Sequence, residues 1–291
     1  MTEPEGPAGD HPDGDGPAAS DRTWDLLGSA IRIACSSAAT GRTVDELMGA
    51  FPTTPVAAAA ALRFGVVDGC DRHGRAHCGH RGTSAAAVAD TPGAVLEWLL
   101  TEVNRAAIDG FSGLAVHAGV VARDGKALAF PAPSGTGKTT LVAAALRAGF
   151  DYVSDEALCV DWVGRELVGY PRALALSDWS RGAVDLGTTP AVDLGPGEVA
   201  FPPGRLGARV AAAPVRLAHV VRLERRGGPA ELVPMGGGDA MALLLTHSFN
   251  HYKRPAESFT LAAGLARDCG TWHLAYGDPL EAAALLSDRL G

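Results

Sequence analysis

An α/β fold with antiparallel additions, preceded by a small α+β module, is predicted by three features of the sequence. Apolar segments over residues 114–131 lead into a glycine-rich loop. An amphipathic stretch follows that loop, and a short apolar segment then ends in adjacent acids. Strand, loop, helix, strand in that order is the signature of an α/β layer, and the turn signals between neighbouring strands add hairpins to it.

The chain has 291 residues, enough for one large core or one core with an appendage. Its first segment, to about residue 22, carries six acids against Arg22 alone and almost no large apolar side chains, so an acidic, disordered tail is expected. That tail accounts for most of the net charge of −8, and the remainder shows no basic stripe suited to nucleic acid. No apolar run reaches 18 residues and no basic-then-apolar export signal opens the chain, so neither membrane nor nucleic acid is an expected partner. Five scattered cysteines (Cys35, Cys70, Cys78, Cys159 and Cys269) predict free thiols in a reduced cytoplasmic setting.

Residues 23–112 read as the small α+β module. IRIACSS from Ile31 predicts a strand. Thr43, with Glu46 three positions on, predicts a capping box opening a short helix. ALRFGVVDG predicts a second strand. Val95, Leu96, Leu99, Leu100 and Val103 recur at helical spacing, and Gly110 marks the stop of that helix. Between them, Cys70, His73, His77, Cys78 and His80 crowd one loop. Their spacing matches no zinc pattern, and the DRHGR within it suits a hairpin turn.

Residues 113–291 form the main unit. LAVHAGVVA and KALAFPA flank the turn Arg123-Asp124-Gly125 as two antiparallel strands. A helix is expected from Lys138 or Thr139 to Ala148, stopped by Gly149. YVSDEALCVD, a turn near Gly164, ELVGYP and RALALS follow as strands. Residues 178–214, rich in Gly, Pro and Ala, predict an irregular lid or binding loop. The remainder reads strand (LAHVVRLE), strand (AELVPM), helix from Asp239, helix (ESFTLAAGLARDCG), strand (TWHLAYG) and a final helix (PLEAAALLSDRL).

The loop itself, Ala132-Pro133-Ser134-Gly135-Thr136-Gly137-Lys138-Thr139-Thr140, departs from the phosphate-loop pattern only at Ala132, where the pattern has glycine. Backbone amides of residues 134–140, aided by the helix start, are the expected phosphate cradle. Lys138 is placed to neutralise terminal phosphates and Thr139 to ligate Mg²⁺. Only 16 positions after Lys138 stands Ser154-Asp155-Glu156. Two adjacent acids can divide two tasks: one holds Mg²⁺ at the β- and γ-phosphates, and the other accepts a proton from an attacking hydroxyl. His117, on the preceding strand, is carried beside the loop by the hairpin, and is expected to orient the base or touch the γ-phosphate.

HAGVV, SGTGKTTL and GFDYVSDEALCVD together resemble the catalytic domain of the HPr kinase/phosphorylase family and its smaller relatives. The resemblance implies the HPr kinase/PEP carboxykinase type of P-loop kinase core over residues 113–291. It implies His117 as the active-site histidine, Lys138 as the loop lysine, Thr139 as the Mg²⁺ ligand, Asp155 as the proton-accepting aspartate, and Glu156 as its neighbouring acid, holding the metal with Thr139. It implies ATP and Mg²⁺, a hydroxyl acceptor on a peptide, protein or small molecule, and a homo-oligomer. The Arg-Gly-Leu-Gly signature of the bifunctional enzymes is missing; YPRALAL, with Arg172, stands loosely in its place. Relatives lacking it include kinases that tailor ribosomally made peptides by phosphorylating a serine. The competing reading is a nucleotide-binding regulatory or chaperone-like module with little turnover. A motion-coupled ATP or GTP hydrolase has less support, for want of an Asn-Lys-x-Asp run. Arg172, Arg181, Arg205, Arg209 and Arg254 are the candidates to steady a transferring phosphoryl. His247 and His251, four apart, suit one helical face; ordinary helix-end packing is the favoured reading, with a surface contacting substrate or phosphate as the alternative.

Overall fold

The computed structural model describes residues 18–55, 61–71, 73–212 and 214–291. It is a mixed α/β structure with three sheets among the described residues, containing both parallel and antiparallel pairs. Residues 1–17 of the expected tail lie outside the described residues; the segment that follows is already the first strand.

The amino-terminal part builds a five-stranded sheet in the order β1 (Ser20–Leu26), β2 (Ser29–Cys35), β3 (Leu62–Asp68), β4 (His77–Arg81) and β5 (Ser84–Ala89). Residues 20–22, assigned to the tail from composition, pair with β2 instead. Alternating burial along β1 and β2 places Trp24, Leu26, Ile31, Ile33 and Cys35 on one face. Against that face pack α1 (Ala38–Leu47) and α2 (Pro92–Gly110). The cap of α1 is Ser37, not Thr43. Ser37 Oγ accepts from Thr40 N, whereas Thr43 sits mid-helix and returns its hydroxyl to Ala39 O. Helix α2 opens on Thr91 with Pro92 in its first turn and ends at Gly110, as its pattern predicted.

The crowded Cys/His loop is a hairpin. Pairing of β3 with β4 brings Cys70 and Cys78 to a Cα separation of 6.0 Å, and they form a disulfide. This overturns the expectation that all five cysteines are free; Cys35, Cys159 and Cys269 are the unbridged ones. Cysteine usage therefore no longer argues for a reducing compartment. The bond also removes both thiolates from any zinc site, and His77 is engaged by Asp68 at 2.7 Å.

The central sheet runs β10 (Leu167–Val168), β9 (Ala157–Val160), β6 (Leu114–Arg123), β7 (Lys126–Pro131), β14 (Arg216–Arg225), β16 (Gly270–Tyr276) and β15 (Glu231–Pro234), with β8 (Asp151–Ser154) also paired to β6. β14 is parallel to both β7 and β16, and the other neighbours are antiparallel. The β6–β7 turn is tight because Asp124 and Gly125 both take positive φ (50° and 74°). Near-continuous apolar runs in β6 and β7 follow from burial on both faces. Val121, Leu128, Phe130 and Val221 face α3 (Lys138–Arg147) and α7 (Pro279–Leu290). Val120, Ala129 and Val220 face α5 (Gly237–Thr246) and α6 (Pro255–Asp268). Helix α3 packs tightly on the sheet at Gly119, where a Cβ would stand 2.7 Å from Val142 Cγ2.

Residues 178–214 depart most from expectation. They contain α4 (Asp178–Ala183), β12 (Val192–Gly195) and β13 (Glu198–Phe201), and β13 joins β11 (Leu174–Ser177) and β12 in a three-stranded sheet. Val192, Leu194 and Ala200 of this sheet share one core with α2 and the amino-terminal sheet, whereas Phe201 joins the core around α3. The segment is a structural bridge between the two parts. Among the described residues no helix is long and apolar enough to cross a membrane.

Candidate functional site

The loop between β7 and α3 curls around an open concavity. Gly135 and Gly137 adopt φ of 79° and 95°, a conformation that side chains resist, and nothing stands within 4 Å of a Cβ built on Gly135. Ala132, in place of the first glycine, is buried and has ordinary φ, so the exchange leaves the curl intact. Thr136 donates to Pro133 O at 2.8 Å, which closes the loop on itself. The cleft above it measures about 580 Å³ and is lined by residues 134–140, His117, Asp155, Glu156 and Arg172 among others. A hollow of about 690 Å³ lies elsewhere, beside Asp21, Arg32 and Thr53 at the edge of the first sheet. Its main charges, Asp21 and Arg32, neutralise each other, and it contains none of the reactive groups.

The sheet brings together the five residues singled out from sequence. Lys138 is 6% exposed and donates to Ala132 O and Pro133 O, both at 2.9 Å. Burial pulls its pKa down to about 8, although Glu156 and Asp155 oppose that fall. Thr139 Oγ1 donates to Asp155 Oδ2 at 3.0 Å, which ties the loop to the acid pair and leaves the hydroxyl oxygen's lone pairs for other partners. Thr140 is turned toward Ser180 of α4, with 3.0 Å between the two hydroxyls.

Asp155 and Glu156 differ sharply in surroundings. The Asp155 side chain is 0% exposed and carries four polar contacts. Arg172 Nε and Nη2 reach its two oxygens at 2.8 and 3.1 Å, Tyr152 OH lies 3.0 Å from Oδ1, and Thr139 binds Oδ2. A carboxylate offers about four lone-pair sites; Arg172 and Thr139 fill three, and the single Tyr152 proton is shared between Oδ1 and the Arg172 carbonyl, 2.9 Å away. With its side chain 0% exposed and three of those positions filled, Asp155 offers a substrate hydroxyl little access in this arrangement. Glu156 retains an open side. Arg172 Nη2 lies 3.1 Å from its Oε2, and His117 Nδ1 lies 3.5 Å from its Oε1. Burial works against its charge, but the hydrogen bond from His117, the charges of Arg172 and His117, and a hydrogen bond from Asn104 hold its pKa down at about 2.

That depression has a consequence for acid stability. Glu156 contributes stability that is complete above its ordinary pKa of 4.5 and is lost as pH falls through about 2. The contribution is roughly 3 kcal/mol. Urea denaturation between pH 2 and 5 is expected to show a steep loss in the native chain, and a flatter one in Glu156→Gln.

Three of these neighbours escaped sequence reasoning. Asn104 comes from α2, so the amino-terminal part furnishes a residue of the site, and its Oδ1 is buried without a hydrogen-bond partner. Tyr152 points its hydroxyl to Asp155, and Arg225, at the end of β14, lines the far side of the cleft. The Tyr152 pattern was legible as the buried residue three before Asp155; Asn104 and Arg225 had no local signal. Of the five arginines proposed from sequence, Arg172 alone lines the cleft. Arg181 pairs with Asp178, Arg205 with Glu46, Arg209 with Asp151, and Arg254 lies over Trp162. His247 ends α5, and its carbonyl accepts from His117 N at 2.7 Å. His251 begins a separate turn, so the two histidines share no helical face.

Among the described residues no three His, Cys, Asp or Glu side chains converge on one point. A closed protein cage for a metal is thus not on offer. Mg²⁺ needs less, because it keeps waters and takes one or two carboxylates together with phosphate oxygens. Thr139 and Glu156 line the same cleft and supply oxygen atoms of that kind.

No protein-family model matches this chain, and no curated protein sequence matches it.

Proposed function

We propose that the chain is an ATP-dependent, Mg²⁺-requiring kinase that transfers the γ-phosphate to a hydroxyl, with a peptide serine as the favoured acceptor. The observation that carries this reading is the convergence in one cleft of the glycine loop, the Thr139–Asp155 hydrogen bond and the His117–Glu156 pair. A plain binding loop needs the first of these and neither of the others.

The amides of 134–140 would cradle the β- and γ-phosphates, with Lys138 leaving its two carbonyls to meet the terminal phosphate. Thr139 and Glu156 are the oxygen donors suited to the metal, which when bound offsets the charge of the phosphates. Asp155 then serves as the group that orients the Thr139 hydroxyl and anchors Arg172. The proton of the acceptor hydroxyl passes to His117, because its Nδ1 side is engaged by Glu156 and its other nitrogen stays available. Arg172, held by both acids, is placed to receive charge that develops on the transferring group. The resemblance to HPr kinase-like P-loop kinases agrees with this assignment of a kinase core. Phosphorolysis is not part of the proposal, since the signature associated with it is missing.

Incubating the full chain with γ-labelled ATP, Mg²⁺ and a panel of serine-containing peptides tests the reading. Label is expected on peptide, with ADP released in equal amount. Tight ATP binding with neither ADP nor phosphopeptide would favour the competing regulatory module.

A further inference from the structure

The cleft has two unlike ends. His117, Asp155 and Glu156 stand on the β6, β8 and β9 side of β7, while β14 and β16 lie on its other side. Arg225, the last residue of β14, lines the far end together with Trp179 from the first turn of α4, and Tyr276, the last residue of β16, is buried behind them.

These three form a stack. The Arg225 guanidinium lies 5.0 Å from the Trp179 ring centroid and 5.2 Å from that of Tyr276. Both distances are within cation–π range. Trp179 is 58% exposed although it lines a cleft, so its indole offers aromatic surface that the protein leaves uncovered. Its position relative to the phosphate loop is set: Ser180, next in sequence, meets Thr140 at 3.0 Å, and Ser177 caps the same turn. Arg225 also overlooks the loop, its Nη1 standing 3.5 Å from where a Gly137 Cβ would be. The buried Tyr276 hydroxyl is 3.6 Å from the same point and makes no hydrogen bond of good geometry.

We propose that Trp179 and Arg225 form the nucleoside end of the site, where a nucleobase stacks on the free indole and Arg225 braces that indole beside the phosphates. The inference rests on the kinase reading above. A triphosphate is a polar rod: its reacting end must meet the acids and His117, so its nucleoside end leaves the loop in the opposite direction. That direction ends at Trp179, the one large exposed aromatic side chain lining the cleft among the described residues. Bases stack on aromatic side chains regardless of their hydrogen-bonding edges, and a purine offers the larger face.

Binding of ATP and of inorganic triphosphate to the full chain, each with Mg²⁺, tests this by titration calorimetry. In the native chain ATP is expected to bind more tightly than triphosphate. Trp179→Ala should weaken ATP roughly 10- to 100-fold and leave triphosphate unchanged, while Trp179→Phe keeps most of the ATP affinity. Unchanged ATP affinity in Trp179→Ala, or equal losses for ATP and triphosphate, overturns the stacking site and spares the kinase reading. Failure of triphosphate to bind the native chain overturns both.

Discussion

Lys138→Ala is expected to cut phosphate transfer by about 10²–10³ and to weaken ATP binding at the same time. The Lys138 ammonium is buried, yet it faces the cleft, where it donates to two loop carbonyls. Exchanging those neutral acceptors for a phosphate oxygen gives the ammonium a charged partner in a partly dry site, where electrostatic contacts are strongest. Loss of such a group costs about 10²–10³ in turnover by analogy with other charge-stabilising donors. Its pKa near 8 adds a second readout. Above about pH 8 the free site holds neutral lysine, so phosphate binding must take up a proton and affinity falls as pH rises. The native chain should show that fall in calorimetry and Lys138→Ala should not. His117→Asn is the contrasting variant: transfer drops by about 10²–10⁴ while ATP affinity holds. If His117→Asn transfers phosphate normally, the proton goes elsewhere and the assignment of roles must be redrawn.

Arg172→Met is expected to produce the largest loss of stability of any single substitution in the site. Asp155 has no solvent exposure and takes two of its four contacts from this guanidinium, and Glu156 takes one more. Removing the cation leaves a buried carboxylate without its counter-charge, which costs about 3–5 kcal/mol. For a domain of this size that corresponds to a drop of roughly 10 °C in thermal midpoint. The double variant Arg172→Met with Asp155→Leu separates pair loss from orphaned charge. It should recover most of the stability, because apolar replacements for both partners remove the uncompensated charge. It should not recover transfer, since Thr139 then loses its partner. Equal midpoints for the single and double variants would show that Arg172 acts by packing alone.

Much of the layout was legible in the chain. Helical spacing located α2 and its end at Gly110, and the Asp124-Gly125 turn located the β6–β7 hairpin. The glycine loop, Lys138 and Thr139 were legible because the cradle is local: its geometry depends on residues that are consecutive. Misreadings fell where a distant partner decides. Thr43 has the spacing of a cap, but Ser37 enters the helix six residues earlier, because Ser37 and Thr40 both bond Asp68 of β3. The 178–214 segment has the composition of a loop, yet β13 finds an edge on β11 and its apolar side chains find α2 and α3.

Sequence by itself determined the mixed α/β class and placed His117, Lys138, Thr139, Asp155 and Glu156 as a candidate set, since strand and helix periodicity and backbone curl are short-range properties. Tertiary structure alone decided how that set divides. Arg172 grips both oxygens of Asp155 from 17 residues away, Asn104 reaches Glu156 from another sheet's helix, and Arg225 lies over the Trp179 ring. The charge and basicity of a carboxylate depend on which groups surround it in space, and chain order does not encode that distance.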